Sequence, residues 1–174
     1  MHPLETFKYC PKCGSNRFVE SDDKSKLCEN CHFTYYFNSS AAVAVFIINK
    51  KGELLVARRA KEPARGTLDL PGGFVDLYET AEEAVVREVK EETGAIINDI
   101  RYLFSIPNIY LYSEFNVHTV DLFFRCYVED SVNFTPDDDV AELFFLGRNE
   151  INPDLFGLDS IKKAIQRFVE NVIW

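Results

Sequence analysis

The pattern of apolar and polar residues predicts a set of strands before any motif is considered. The run at 41–48 is apolar throughout and has the length of a strand that is buried on both faces. A polar turn follows it, and 54–58 is predicted to be the returning strand of a hairpin. The segment 106–115 is left outside any strand. Further strands are predicted at 95–105, 117–128 and 140–146.

Two segments show the 3.6-residue period of amphipathic helices. The first begins with a capping box, since Thr80 is followed three residues later by Glu83, and it ends where Gly94 suits the C′ position. The second lies later in the chain, with Asp159 or Ser160 as its cap. Its apolar stripe consists of Ile161, Ala164, Ile165, Phe168, Val169 and Val172. Strands flanked by helices, without repeats, predict an α/β sandwich around a mixed sheet.

The length and composition fit one main domain with a small accessory module. The chain has 174 residues, of which 47% are hydrophobic, which is ample for a buried core. Residues 1–38 are predicted to form the small module, and 39–174 the main domain. The longest apolar run is far shorter than the ~20 residues that a helix needs to cross a bilayer, and nothing resembles a signal peptide. A cytoplasmic protein without a membrane partner is therefore expected.

The formal net charge of −9 argues against binding to nucleic acid or to an anionic membrane. The small module does not reverse this balance. Within 1–38, five acidic residues offset five basic ones, whereas a DNA-binding appendage would be basic. An acidic protein that acts on a polyphosphate would depend on a metal ion to offset the repulsion.

Four of the five cysteines form two Cys-x2-Cys pairs in the small module. Fourteen residues separate Cys10 and Cys13 from Cys28 and Cys31. This spacing predicts a zinc ribbon, in which four thiolates close a structural site. Two disulfides are the competing interpretation, which an intracellular chain disfavours, and a redox pair is not expected twice at this spacing. His32 could in principle compete as a ligand, but four cysteines are the simpler set.

The first predicted helix carries Glu88, Glu91 and Glu92 at i, i+3 and i+4, so three carboxylates share one face. A solvated acidic helix is the ordinary interpretation of such a face. Against it, like charges at i, i+4 destabilise a helix by roughly 0.2–0.5 kcal/mol per pair, and Arg87 and Lys90 are the only cations on it. Clustered carboxylates suit a hard cation, Mg²⁺ or Mn²⁺. The residues therefore indicate metal-assisted hydrolysis of a phosphoryl or pyrophosphoryl group.

The stretch 73–95 resembles the signature of the Nudix (MutT-like) hydrolases, G-x5-E-x7-R-E-U-x-E-E-x-G-U, where U is aliphatic. The matching residues are Gly73, Glu79, Arg87, Glu88, Val89, Glu91, Glu92 and Gly94. Only Ala95 is smaller than usual. The stretch 66–73 resembles the family's G-x-W-x-L-P-G-G lead-in, with Leu68 in place of tryptophan. The resemblance implies the Nudix α/β/α sandwich.

The same resemblance implies roles for these residues. Arg87 would orient the glutamates, and Glu79 would brace the loop to the helix. One glutamate of the metal-binding set, or a loop acid, would serve as the base for the attacking water. Glu142 occupies the place of a further acidic metal ligand, and an edge-strand carboxylate facing water is the alternative of equal weight. The other ligands of Mg²⁺ or Mn²⁺ would be Glu88, Glu91, Glu92 and the carbonyl of Gly72.

A zinc ribbon before the signature resembles the NADH pyrophosphatase branch of the family, in which the motif S-Q-P-W-P-F-P-x-S follows at a set distance. The segment that starts at Ser105 lies at about that distance and matches at Pro107 and Ser113, with Tyr110 supplying an aromatic ring for Phe. The glutamine, the tryptophan and two prolines are missing, so the substrate preference has room to differ. Tyr110 and Tyr112 could stack a nucleotide ring, or could pack in the core or a dimer interface.

A cationic cluster that begins with Arg58 and Arg59 is the densest in this acidic chain. It is either a solvated loop or a source of side chains that reach substrate phosphates, for which arginine is suited.

Together these features predict a hydrolase that cleaves the pyrophosphate bond of a nucleoside diphosphate linked to another moiety, such as NAD(H) or ADP-ribose. The expected partner is a small nucleotide, and a homodimer is left open. A nucleoside triphosphate pyrophosphohydrolase is one alternative, and a non-catalytic sensor or regulator with a Nudix fold is the other. A degraded signature would favour the sensor, and this signature is intact.

Overall fold

The computed structural model describes residues 2–112, 114–128 and 140–170. The chain divides into two compact units, Met1–Ser39 and Ser40–Trp174. Ser113 and Val172, which carried part of the predicted patterns, lie outside the described residues.

The first unit is a three-stranded antiparallel sheet in the order β1-β2-β3. Its strands are β1 (Phe18–Asp22), β2 (Ser25–Cys28) and β3 (Thr34–Tyr36). Its core is small, because the buried cluster consists of Phe18 with Cys10 and Cys28. A unit with so few buried side chains needs a cross-link to be stable.

The second unit is a six-stranded mixed sheet in the order β6-β5-β4-β8-β7, with β9 paired to β5. The pair β4–β8 is parallel and the other pairs are antiparallel. The strands are β4 (Ser40–Ile48), β5 (Leu54–Arg59), β6 (Leu68–Asp69), β7 (Asn98–Tyr112), β8 (Phe115–Tyr127) and β9 (Val140–Leu146). The helices are α1 (Ala81–Thr93) and α2 (Asp159–Val169), with short 3-10 turns at Arg148–Glu150 and Pro153–Leu155.

Each face of this sheet packs against one helix. The residues of β4 alternate between the faces: Phe46 belongs to the cluster that contains Ile165 of α2, whereas Val45 belongs to the cluster that contains Val85 of α1. The central strand is therefore buried on both sides, which explains its unbroken apolar sequence. The predicted α/β sandwich around a mixed sheet is confirmed.

Helix α1 has the predicted ends. The Thr80 side chain accepts the backbone N–H of Glu83, and the Glu83 side chain accepts the backbone N–H of Thr80. Gly94 has φ 71° at the C-terminal end. The predicted cap of α2 is wrong, because Leu158 is the N-cap and makes no side-chain capping bond. The hydroxyl of Ser160 is bonded instead to Asp121 on β8.

The second correction concerns 106–112, which the pattern left outside any strand. These residues continue β7 and pair with β8 up to Tyr112 opposite Phe115. The strand tolerates Pro107 because β7 lies at the edge of the sheet. Among the helices that the structure describes, none is long and apolar enough to span a bilayer.

The four cysteines of the first unit bring their sulfur atoms together. All four lie within 4.8 Å of one another, with 3.8 Å between Cys10 and Cys31 and 3.6 Å between Cys13 and Cys28. A tetrahedral zinc ion with bonds of ~2.3 Å separates its sulfur ligands by about 3.8 Å, so the cluster fits structural zinc. All the cysteines are free, which excludes the disulfide interpretation for this structure.

We expect the purified protein to hold about one zinc ion per chain. Cys28→Ser should lose the zinc and unfold the first unit, because the metal supplies on the order of 10 kcal/mol of folding free energy in small zinc modules. Elemental analysis and thermal unfolding measure the two effects. Cys126→Ser is the matched control, since Cys126 is buried in the second unit and should leave the zinc content unchanged. A fully folded wild-type protein without zinc would contradict the prediction.

Candidate active site

Arg87 connects the carboxylates of α1 to the loop that precedes the helix. Its guanidinium donates to both oxygens of Glu79, at 2.8 and 2.9 Å. The Nη1 group donates to Glu88 at 2.7 Å and to Glu91 at 3.2 Å. The Nη2 group also donates to the carbonyl of Phe74 at 3.0 Å. One arginine thus holds two of the three glutamates that share the helix face.

Glu79 is the principal partner of this arginine. Its Oε2 atom also accepts the N–H of Asp76 at 2.9 Å, so the carboxylate ties the loop to the helix. The hydrogen bonds from Arg87, with the one from the Asp76 backbone, lower the pKa of Glu79 to about 2. These contacts agree with the bracing role that the resemblance implies for Glu79, and that role stays a prediction.

Glu88 lies against Gly73, and its side chain is only 13% exposed. A Cβ atom at Gly73 would lie 2.4 Å from Glu88 Oε1. The Glu88 carboxylate therefore fits here only because residue 73 has no side chain. Burial raises the pKa of Glu88 above its ordinary value, although the Arg87 hydrogen bond opposes the shift.

Glu92 is bonded to the backbone of the glycine pair, since it accepts the N–H of Gly72 at 3.0 Å. Gly72 has φ 151°, and a Cβ atom there would lie 2.1 Å from the carbonyl oxygen of Val43. The Val43 N–H in turn donates to the carbonyl of Gly73 at 2.8 Å. The two glycines therefore attach the carboxylate face of α1 directly to β4.

The donors gathered here are the ones that hard cations prefer. Glu88, Glu91 and Glu92 offer carboxylate oxygens, and Gly72 adds a carbonyl. In the described part of the chain, the three glutamates do not all approach within 4.8 Å of one another, as the cysteines do. Mg²⁺ does not need that closeness, because it keeps waters and substrate phosphate oxygens among its ligands. The donor set fits Mg²⁺ or Mn²⁺ shared with a phosphate.

A cleft of about 710 Å³ lies beside these groups, within the second unit. That volume is in the range of small-molecule sites. Small side chains leave this space open, since Ala42, Ala44 and Ala57 all line it. Its larger lining residues include Arg59, Asp69, Phe74, Arg87, Glu88, Glu92, Asn108, Tyr110, Tyr112 and Asp121.

Arg59 lines the cleft, but its nitrogens already have protein partners. Nη1 pairs with Asp69, Nε donates to the carbonyl of Pro63 at 2.7 Å, and Nη2 donates to the Tyr110 hydroxyl at 3.4 Å. The ring of Tyr110 meets Phe74 edge to face, with 6.1 Å between centroids. The structure thus makes Arg59 a support for an aromatic wall. Its predicted contact with substrate phosphates stays a prediction.

Arg58 and Glu142 lie opposite each other on β5 and β9, and Arg58 Nε donates to Glu142 at 3.2 Å. Neither lines the cleft. Glu142 shares a face of β9 with Phe144, which packs in the cluster of α2, on the side of the sheet away from α1. The structure does not bring Glu142 to the carboxylates of α1. Its predicted role as a metal ligand, and that of Arg58 at a phosphate, stay predictions without support from this arrangement.

The sequence pattern did not single out four residues of the cleft wall, Asp69, Phe74, Asn108 and Asp121. Asp69 and Asp121 are buried, with 8% and 7% exposure. Each interrupts an apolar strand segment, and a charged residue in such a segment is a signal that could have identified both.

Comparisons with known proteins agree with this arrangement. The family described as "NUDIX domain" matches residues 38–168, well over half of the chain. The NAD-capped RNA hydrolases NudC of Vibrio cholerae and Haemophilus influenzae are 31% identical over 106 residues and 36% identical over 108 residues. Each alignment covers 61% of this chain but only 39% and 40% of the relatives, so the chain spans about two fifths of their length.

A crystal structure of a NUDIX hydrolase from Nitrosomonas europaea has a TM-score of 0.68 at 23% identity, over 94% of this chain and 90% of that chain. This similarity shows a shared fold.

Glu79→Gln should lower the melting temperature at pH 7 by a few degrees, because it removes the charge that holds Arg87. The pKa of Glu79 falls from 4.5 to about 2 in the folded state. Its stabilising effect is therefore fully present above about pH 4.5 and is lost as the pH falls through about 2. The difference between variant and wild type should narrow over that window. Calorimetry from pH 7 down to about pH 2 measures this difference in melting temperature.

Glu82→Gln is the control, since Glu82 is an exposed residue of the same helix. A melting-temperature difference for Glu79→Gln that does not change with pH would contradict the assigned ion pair.

Proposed function

Because the chain belongs to the Nudix pyrophosphohydrolase family, we propose that it cleaves the pyrophosphate bond of a nucleoside diphosphate linked to another moiety, NAD(H)-like or ADP-ribose-like. The observation that carries the proposal is that Glu88, which Arg87 holds by a hydrogen bond, lines a cleft of about 710 Å³. A charged oxygen-donor site alone would serve any phosphate. A cleft with buried polar and aromatic walls is suited to the rest of a nucleotide.

The residues that would hold Mg²⁺ or Mn²⁺ are Glu88, Glu91, Glu92 and the Gly72 carbonyl. When bound, the metal offsets the charge of the phosphates and lowers the pKa of a water. Arg87 holds the carboxylates of Glu88 and Glu91 by hydrogen bonds, and Glu79 keeps Arg87 in place. One carboxylate of the set, or an acid from a loop, takes the proton of the attacking water.

The choice of a dinucleotide-like substrate draws on two features. The relatives of about one-third identity are NAD-capped RNA hydrolases by name. The cleft wall includes Asn108, Tyr110 and Tyr112 of β7, the strand that follows the helix at the distance expected for the NADH pyrophosphatase motif. Tyrosine rings suit stacking on adenine or nicotinamide.

The first unit has a separate role in this proposal. Four cysteine ligands would close the zinc site, leaving no position for a substrate, so the zinc is structural. We assign residues 1–38 to a zinc ribbon and 39–174 to the catalytic domain.

Hydrolysis should require added Mg²⁺ or Mn²⁺ and should stop in EDTA. Glu91→Gln and Glu92→Gln should each lower kcat by several orders of magnitude, because each removes a charged metal ligand while keeping the shape of the side chain. Steady-state kinetics with melting temperatures separate this effect from misfolding. Glu82→Gln should retain wild-type kcat. Turnover in EDTA, or a Glu92→Gln variant with near-normal kcat, would refute the assignment.

NADH, NAD⁺ or ADP-ribose should be cleaved with a higher kcat/KM than any nucleoside triphosphate, because the cleft walls can bind the second moiety as well as the first. Assays of these compounds and of the common (d)NTPs with Mn²⁺ rank the substrates by kcat/KM. A preference for a triphosphate of roughly tenfold, about 1.4 kcal/mol in transition-state binding, would overturn the dinucleotide assignment. Binding without turnover of any compound would favour the sensor.

A further inference from the structure

We propose that Asp121 is a specificity-determining residue, which accepts a hydrogen bond from an amino group on the heteroaromatic ring of the substrate. The donor is the NH₂ of the exocyclic amine of adenine or the NH₂ of the carboxamide of nicotinamide, and both present an N–H to an acceptor. The inference rests on the proposed function for the class of substrate.

Asp121 lies on the strand face that lines the cleft. Val117, Thr119 and Asp121 are every second residue of β8, so their side chains lie on the same face of the strand, and all three line the cleft. Its neighbour across the parallel pair is Ala42 of β4. Because alanine is small, the carboxylate is not covered from that side by a larger side chain.

The carboxylate has hydroxyl donors but no cation. It accepts the hydroxyl of Thr119 at 2.6 Å and that of Ser160 at 2.5 Å. Within residues 2–112, 114–128 and 140–170, no ion pair forms with it, and the nearby guanidinium of Arg59 is paired with Asp69. Of the two buried aspartates in this wall of the cleft, Asp69 has an arginine partner, whereas Asp121 has hydroxyl partners.

A buried carboxylate without a cation is costly unless its acceptor sites are filled. A carboxylate has about four acceptor sites, and two hydroxyl donors leave capacity for more. Since Asp121 is 7% exposed and borders the cleft, a ligand donor can reach that capacity. A ligand amino group would donate to a free acceptor position of the Asp121 carboxylate. An oxo group in its place would put a second acceptor next to the carboxylate oxygens, and no hydrogen bond could form.

The aromatic wall supports a planar ligand beside this acceptor. The rings of Phe74 and Tyr110 meet edge to face, with 6.1 Å between centroids, and both line the cleft. Arg59 holds the Tyr110 hydroxyl. A heteroaromatic ring placed against these rings would bring its substituents to the polar part of the wall, where Asp121 distinguishes a donor from an acceptor.

Asp121 also has a structural alternative. Its partner Ser160 lies in the first turn of α2, where the helix dipole favours a carboxylate. If stabilising α2 were its only role, replacing Asp121 would weaken every ligand equally. Discrimination between ligands that differ in one amino group separates the two roles.

The test measures binding of four mononucleotides by calorimetry: AMP against IMP, and nicotinamide mononucleotide against nicotinic acid mononucleotide. None contains a pyrophosphate bond, so the result does not depend on turnover. The wild type should prefer the amino-bearing member of one pair by about tenfold or more, which corresponds to about 1.4 kcal/mol. The pair that shows the preference identifies whether adenine or nicotinamide occupies the site. Asp121→Asn, which can present an N–H to an oxo group, should reduce the ratio to about threefold or less.

Two further variants control for folding. Ser160→Ala keeps the carboxylate, so it should lower the melting temperature yet retain the ratio. Ala42→Val places two methyl groups beside Asp121 without removing its hydrogen bonds, and should abolish the ratio even where Asp121→Asn does not fold. Equal binding within both pairs by the wild type, or a ratio that survives both Asp121→Asn and Ala42→Val, would overturn the proposal. If the hydrolysis panel fails but the ratio behaves as expected, the proposed activity is wrong and the recognition site stands.

Discussion

The guanidinium of Arg87 sets the geometry on which the candidate site depends. Three carboxylates on one helical face repel one another, and a helix alone cannot fix their side chains. Arg87 bonds to Glu88 and Glu91 on its own helix and, through two further bonds, to Glu79 in the loop. Arg87 therefore cross-links the loop to the helix. The carboxylates are oriented before any metal or phosphate arrives, so binding does not have to order them.

The glycine pair, Gly72 and Gly73, connects helix α1 to the sheet. Gly72 lies so close to the carbonyl of Val43 that no side chain fits there, and the Glu88 carboxylate occupies the space that a side chain at residue 73 would need. The backbone of the pair bonds to Glu92 on one side and to β4 on the other. A side chain at Gly73 would displace the carboxylate of Glu88, and one at Gly72 would displace strand β4. The same contacts place the carboxylates beside the cleft, since both glycines line it.

Local signals explain what could be predicted from the sequence. The ends of α1 follow from Thr80, Glu83 and Gly94, which act within a few residues of the chain. Its three glutamates share a face by helical spacing alone. The start of α2 could not be predicted, because the hydroxyl of Ser160 bonds to a strand 39 residues away instead of capping the helix. The extension of β7 depends on β8, and Asp69 and Asp121 come together only when their strands take their places in the sheet.

In the proposed function, metal binding and substrate recognition use different elements of the fold. The oxygen donors proposed for the metal lie on α1 and at Gly72, whereas Asp69, Tyr110 and Asp121 of the cleft wall lie on β6, β7 and β8. The residues that depart from the NADH pyrophosphatase motif lie on β7, the strand that supplies Asn108 and Tyr110 to the wall. Substitutions there change the shape and polarity of the cleft without touching Arg87 or its glutamates. Under the proposed function, substrate preference can therefore diverge within this fold while the proposed metal-binding residues stay the same.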